Sequence, residues 1–313
     1  MNSWHPTAAT ATLQRRAELI AGIRSFFADR GVTEVTTPVI TGNGVTDPNI
    51  ASIELANGSG YLRTSPEYWH KRLLAAGFGD LYELGPAFRD GESGRLHQAE
   101  FTLLEWYRCD WGWRQLADEV VALIRRTLAR SGNELSIRYI SWNDCFRESL
   151  GVNGLTADDQ ELRRLAADAP SGCSRDMLLD FLFATRIQAS FPDDRITVVY
   201  DYPAAQAALA RLNPADPAVA ERFEVFAGTL ELANGYHELQ DAREQLARFE
   251  QDNRIRAELN RREMPIDHDL LAALESGLPD CSGVALGVDR LLMAALGAAN
   301  IIEMLPFRPG YRQ

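Results

Sequence analysis

The sequence predicts an α+β fold, with one mainly antiparallel sheet of six or more strands flanked by helices. Three observations carry this expectation. Short alternating runs joined by turn signals recur, as in "AFRDGESGRLHQAEFTLLEWYR" (87–108) and "RFEVFAGTLELANGYHEL" (222–239). Helical periodicity is grouped elsewhere instead of alternating with strands, which argues against a doubly wound sheet. The usual glycine-rich nucleotide loops, G-x-G-x-x-G and the Walker pattern, are absent from the sequence.

Taken in order, residues 10–30 read as an amphipathic helix. Leu19, Ile20, Ile23, Phe26 and Phe27 recur at three- and four-residue spacing, and Gly31 supplies a stop. "VTEVTTPVI" follows as a strand that Pro38 confines to an edge or an interface. Such a helix and strand suit packing against a second copy, so a homodimer is expected. Ser65-Pro66-Glu67 places a capping residue before a proline at the first helical position, which puts Glu67 in the first turn. Residues 111–190 read as a largely helical insertion, 195–203 as a strand and 240–262 as a charged helix. Residues 282–297 run from an apolar strand directly into a helix. With no repeat, low-complexity tract or linker, a single domain over 1–313 is expected.

Composition narrows the function. The 313 residues are 46% hydrophobic and carry a net charge of −12, and no basic stripe of the kind nucleic acid demands stands out. The four cysteines are scattered without metal or disulfide spacing, which suits a reducing cytoplasm. The N-terminus does not read as a signal peptide, and no apolar run spans a bilayer.

Three constellations carry chemistry. In the first, a two-residue period puts Phe101, Leu103, Glu105 and Tyr107 on one face. A buried Glu105 needs a partner, and Arg89 offers a planar fork for phosphate or carboxylate. In the second, "EVFAGTLE" folds most simply as a hairpin on Ala227-Gly228, which opposes Glu224 to Glu231. Two readings stand there: solvated edge glutamates, or carboxylates that share Mg²⁺ with substrate phosphates. Further on, Asn234-Gly235 reads as a bulge or turn, and a bulge is needed for Glu231 and Asn234 to face one ligand. The third is Arg290 in the first turn of the last helix. It either accompanies an anion bound at the helix start, or pairs with an acid such as Asp289, or is solvated.

In this order the pieces resemble the three signature motifs of class II aminoacyl-tRNA synthetases. "FRDGESGRLHQAEFTLLEWY" resembles motif 2 and "GVALGVDRLLM" motif 3, with the first helix and Pro38 as motif 1. "SPEYWHKRL", "ELANGYHEL" and "GLPDCSGVALGVDRL" are similar to the lysyl branch. The resemblance covers roughly residues 12–308. It implies that Arg89 and Arg290 act catalytically on ATP. Phe101 would stack on adenine with Arg290 on its other face, while Glu92 and His97 would contact the nucleotide. Glu224 and Glu231 would hold Mg²⁺. Ser65, Glu67, Glu105, Tyr107, Asn234, Glu238 and Ala285 would line the amino-acid pocket, with Glu238 and Tyr107 on the distal ammonium and Glu67 on the nearer amino group.

Three departures from lysyl-tRNA synthetases refine this. Motif 1 begins almost at residue 12, which leaves no room for an N-terminal anticodon-binding domain. Ala285 stands where those enzymes usually have glycine, and Gly91 where they usually carry an acid. A catalytic domain of this length with this alanine most resembles the elongation factor P (R)-β-lysine ligase family. That resemblance implies ATP-dependent activation of (R)-β-lysine and its transfer to a lysine of elongation factor P. The alternatives are a truncated synthetase that charges tRNA or a metabolite, and a non-catalytic paralogue. The second requires lost site residues, and the site residues are all present.

Overall fold

The computed structural model describes residues 4–128 and 135–308. Helix α1 (Thr10–Ala28) buries Leu19, Ile23, Phe26 and Phe27 on one face. Gly31, at φ 69°, makes the left-handed turn beyond it. Strand β1 (Thr33–Glu34) then pairs in parallel with β4 (Leu81–Phe88) at the sheet edge. The strand expected through Pro38 is broken before the proline, which lacks a donor for the ladder. Strand β2 (Ile40–Thr41) pairs instead with β3 (Tyr61–Leu62) in a separate ribbon. Helix α2 (Glu67–Ala75) opens on Glu67 as expected, but Pro66 sits one position earlier, at the cap. The Glu67 amide reaches Ser65 Oγ at 3.4 Å.

The main sheet is antiparallel except at its two outer pairs. From β4 it runs through β5 (Glu100–Cys109), β11 (Cys281–Gly287), β10 (Leu230–His237), β9 (Asp216–Ala227) and β7 (Arg195–Pro203) to β6 (Ser136–Ser141). The short β8 (Leu212–Asn213) adds to β9 and completes nine strands. One face is covered by α1, α3 (Trp113–Leu128) and α9 (Val288–Leu296), which pack on Leu104, Trp106, Phe223, Val225, Val284 and Leu286. Each fully buried large apolar side chain there contributes about 1.5–3 kcal/mol. On the opposite face, α2 packs with α7 (Ala242–Glu258) and α8 (His268–Gly277) through Leu74, Phe249 and Leu270.

The helical insertion expected at 111–190 divides in the structure. Helix α3 belongs to the main core, β6 is a strand of the main sheet, and residues 129–134 lie outside the described residues. What stands apart is α4 (Trp142–Leu150), α5 (Asp159–Leu165), α6 (Arg175–Leu182) and the turns to Ser190. These close over their own cluster around Trp142, Phe146 and Leu182, joined to the sheet by Val199 and Phe226. Among the described residues, no helix is long and apolar enough to cross a membrane.

Candidate active site

Strand register assembles the site. In one row across the sheet, Glu83 faces Glu105, Glu105 faces Ala285, Ala285 faces Asn234, and Asn234 faces Glu224. Two residues along, Tyr107 faces Gly283, Gly283 faces Tyr236, and Tyr236 faces Arg222. Residues two apart share a face of the pleat, so both rows meet the side opposite the α1–α3–α9 core. Phe101, Leu103, Glu105 and Tyr107 accordingly line one cavity of about 1210 Å³. Ser65, Glu67, Arg89, Glu92, His97, Glu224, Glu231, Asn234, Glu238, Ala285 and Arg290 line it as well. Every site residue expected from the sequence thus meets one space.

The β9–β10 hairpin differs from the expected one. Ala227 pairs with Leu230, so the turn is Gly228-Thr229, with Gly228 at φ 57°. Glu231 therefore faces Phe226, not Glu224, because the left-handed turn position falls to the glycine. The bulge is present: the register shifts between Glu231 and Ala233 and brings Glu231 and Asn234 to the same cavity. Both glutamates still share the site. Burial, opposed by Arg222 and reinforced by the Glu231 charge, raises the Glu224 carboxyl above its ordinary range.

At the phosphate end, the Arg89 guanidinium lies 5.1 Å from the Phe101 ring centre and within 3.6 Å of Glu92. Arg89 Nε is buried and has no acceptor, as suits a donor kept for a ligand. Arg89 thus approaches the Phe101 ring, and both line the cavity with Arg290. Arg290 donates to the carbonyls of Leu96 (3.2 Å) and Glu231 (3.1 Å) and to His97 Nε2. It does not pair with Asp289, whose carboxylate takes Arg16 and the Thr102 amide. Burial and the Arg290 charge lower the His97 pKa, which keeps its ring neutral.

The amino-acid end is a ring of carboxylates with cations beneath. Lys71 Nζ reaches Glu67 at 2.8 Å and Glu238 at 2.6 Å, and its side chain is 1% exposed. Burial alone would lower the Lys71 pKa, but Glu238 and Glu67 outweigh it and hold the amine protonated. Burial pushes Glu238 up to about 7, against the pull of Lys71. Lys71 meets Glu238 Oε2, and Oε1 is buried without a hydrogen-bond partner among the described residues. Tyr107 donates to Glu105 Oε1 at 3.1 Å, and His70 Nδ1 meets the same oxygen at 3.1 Å. Gly283 makes room for this arrangement, since a Cβ there lies 2.2 Å from Tyr107 Cε1 and 2.5 Å from Glu238 Oε1.

Sequence reasoning missed Lys71, His70, Glu83, Arg63, Arg222, Tyr202 and Gln245. Lys71 carried a readable signal, four residues after Glu67 on one helix. Arg222 sits two residues before Glu224 on the same strand face, and it donates to Glu224 Oε1 at 2.6 Å while Tyr202 donates to Oε2 at 2.7 Å. Gln245 lines the cavity, with a buried Nε2 that has no acceptor.

An arginine-and-aromatic end joined on an antiparallel sheet to a carboxylate end defines a class II synthetase-type, adenylate-forming domain. Comparison with known proteins agrees. The family model for class II tRNA synthetases (D, K and N) matches residues 3–309. The chain is 47% identical to the elongation factor P–(R)-β-lysine ligase of Klebsiella pneumoniae (strain 342), over 97% of each. It is 46% identical to that of Vibrio cholerae serotype O1, over 98% of each, and 44% identical to that of Proteus mirabilis (strain HI4320), over 99% of this chain. The chain belongs to the class II tRNA synthetase family and, within it, to the elongation factor P–(R)-β-lysine ligases.

Proposed function

We propose that this chain activates (R)-β-lysine with ATP and transfers it to the ε-amine of one lysine of elongation factor P. The observation that carries this reading is the single cavity joining Arg89, Phe101, His97 and Arg290 to Glu67, Glu105 and Glu238. One end suits a nucleotide phosphate chain, and the other suits an amino acid with two ammonium groups.

The first step is attack of the substrate carboxylate on the α-phosphorus of ATP. A carboxylate-oxygen–phosphorus bond forms, the α–β phosphoanhydride bond breaks, and pyrophosphate leaves. Arg89 brings its buried, uncommitted Nε to the charge developing on the phosphate, and Arg290 binds the polyphosphate, so positioning and electrostatics carry the step. Glu238, Glu67 and Tyr107 receive the amino groups. A ligand lacking the distal ammonium leaves Glu238 Oε1, the oxygen that Lys71 does not reach, buried without a partner, and is rejected for that reason. In the second step the acceptor amine attacks the adenylate carbonyl, an amide forms, and AMP leaves with the mixed anhydride electrons. The amine proton passes to solvent or to AMP.

Two carboxylates close enough to perturb one another fit a divalent cation, with phosphate oxygens and water completing its shell. Glu224 and Glu231 would hold Mg²⁺, which supplies charge neutralisation for the polyphosphate. Glu224 must then loosen its bonds to Arg222 and Tyr202. We further propose a homodimer through the segment after α1, where Ile40 is 57% exposed.

Pyrophosphate exchange tests the first step. (R)-β-lysine should drive ATP–pyrophosphate exchange far better than α-lysine, with leucine inactive. Equal exchange with α-lysine would instead favour a truncated synthetase.

A further inference from the structure

Glu83 and Glu105 stand directly opposite each other on β4 and β5, and like charges so placed repel across a ladder. His70 on α2 lies between them, with Nδ1 3.1 Å from Glu105 and Nε2 3.1 Å from Glu83, and its side chain is fully buried. Carboxylates on both ring nitrogens require a hydrogen on both, which is the imidazolium form. Glu83 is fixed from behind. Arg63 Nη2 pairs with it at 2.8 Å, and the Thr37 hydroxyl donates to it at 2.7 Å. Neither His70 nor Glu83 lines the cavity, whereas Glu105 does. Both hydrogen bonds received by Glu105 end on Oε1, which leaves Oε2 uncommitted among the described residues.

We propose that His70 is a positioning residue, a fixed cation between two opposed carboxylates that holds Glu105 aimed at the amino-group end of the cavity. The proposal deepens the functional reading above and rests on it for the identity of the ligand. The groups around His70 are Glu67 and Lys71 on its own helix, Glu83 on β4, and Glu105 and Tyr107 on β5. The Tyr107 ring lies 5.5 Å from the imidazole, edge to face. Arg63 and Thr37 act through Glu83. Asp269 of α8 is engaged by Arg72 at 3.3 Å. Burial alone would lower the His70 pKa, but Glu105 and Glu83 outweigh it and raise it. The cation is therefore present below the ordinary histidine range and is lost only as pH rises through the raised value. Affinity for the amine substrate should weaken over that interval.

Two measurements test this. The first is ¹⁵N NMR of histidine-labelled protein at pH 6.5, the ordinary histidine value, where a raised pKa leaves the cation in excess, with the His70 signals assigned through His70→Gln. Both nitrogens should show the imidazolium pattern, and a neutral tautomer overturns the proposal. The second is pyrophosphate exchange against pH. His70→Gln should raise KM for (R)-β-lysine roughly tenfold or more, with kcat and the KM for ATP little changed. It should also lose the alkaline rise in KM expected of the parent. His70→Gln with Glu83→Gln should recover part of the loss, because the opposed charges are gone. Unchanged KM and pH profile in His70→Gln overturn the positioning role. If His70→Gln does not fold, Glu83→Gln, which leaves the imidazole a single carboxylate, must move the alkaline rise to lower pH, and failure to do so overturns it. Failure of the parent to exchange with any lysine would refute the functional reading instead, while the NMR still reads the His70 charge.

Discussion

Gly283 occupies the middle of β11, facing the cavity, and is the most economical place to perturb the amino-acid end alone. An alanine Cβ lands 2.2 Å and 2.6 Å from the Tyr107 ring and 2.5 Å from Glu238 Oε1. Carbon contacts settle near 3.5 Å, so the ring edge must retreat by about 1.3 Å. That shift pulls Tyr107 off Glu105 and Glu238 off Lys71. Losing one charge-assisted contact to the substrate costs about 2–3 kcal/mol, or roughly 30- to 150-fold in KM for (R)-β-lysine at 1.4 kcal/mol per decade. Overpacking costs a further 1–3 kcal/mol or so of stability, roughly 2–5 °C in Tm for a chain of this size. Gly235→Ala is the matched control. Its Cβ meets Phe223 at 2.6 Å and Val284 at 2.8 Å, on the core face of the same sheet. It should lower Tm similarly and leave KM within about twofold. The assay is pyrophosphate exchange with thermal melts of both variants. Gly283→Ala with a normal KM, or equal KM increases in both variants, would refute the argument that Gly283 exists to admit Tyr107 and Glu238.

Other substitutions separate the remaining parts. Ala285 lies between Glu105 and Asn234 in the sheet row. Ala285→Gly should raise activation of α-lysine relative to (R)-β-lysine by about tenfold, the order expected for one methyl in a shaped pocket; unchanged selectivity means the methyl only packs. Lys71→Met leaves Glu67 and Glu238 buried without their shared cation and should cost roughly 3–5 kcal/mol in chemical denaturation. Glu83 is pulled down to about 2, because His70, Arg63 and Thr37 outweigh its burial. Against its ordinary 4.5, the difference of about 2.5 units at 1.36 kcal/mol each amounts to on the order of 3 kcal/mol. That stability is present above about pH 4.5 and is lost as pH falls through about 2. Glu83→Gln should therefore flatten the acid limb of the denaturation midpoint between those values, and an unchanged limb would contradict the network.

The sequence made the long, regular strands legible. β5, β7 and β11 alternate cleanly or run apolar between turn signals, and their ranges came out within a residue or two. The shorter β6 was hidden because it pairs only at the sheet edge, and Ile137 within it is 40% exposed, so no apolar face marks it. The hairpin register slipped by one because the left-handed demand falls on Gly228 itself. The carboxylates of the site were readable as residue types in familiar strings. Of the cations beneath them, Lys71 alone had a local signal, four residues after Glu67 on one helix. His70 joins Glu83 and Glu105 only after α2 has packed on the β4–β5 pair, and nothing local to "SPEYWHKRL" reveals that meeting.

The measurement closest to the central claim is intact-mass analysis of purified elongation factor P incubated with this protein, Mg-ATP and (R)-β-lysine, beside a parallel tRNA-charging reaction. The account requires a gain of one lysyl unit on a single lysine, abolished by Arg89→Ala, with tRNA unmodified. Unmodified elongation factor P together with charged tRNA would contradict it.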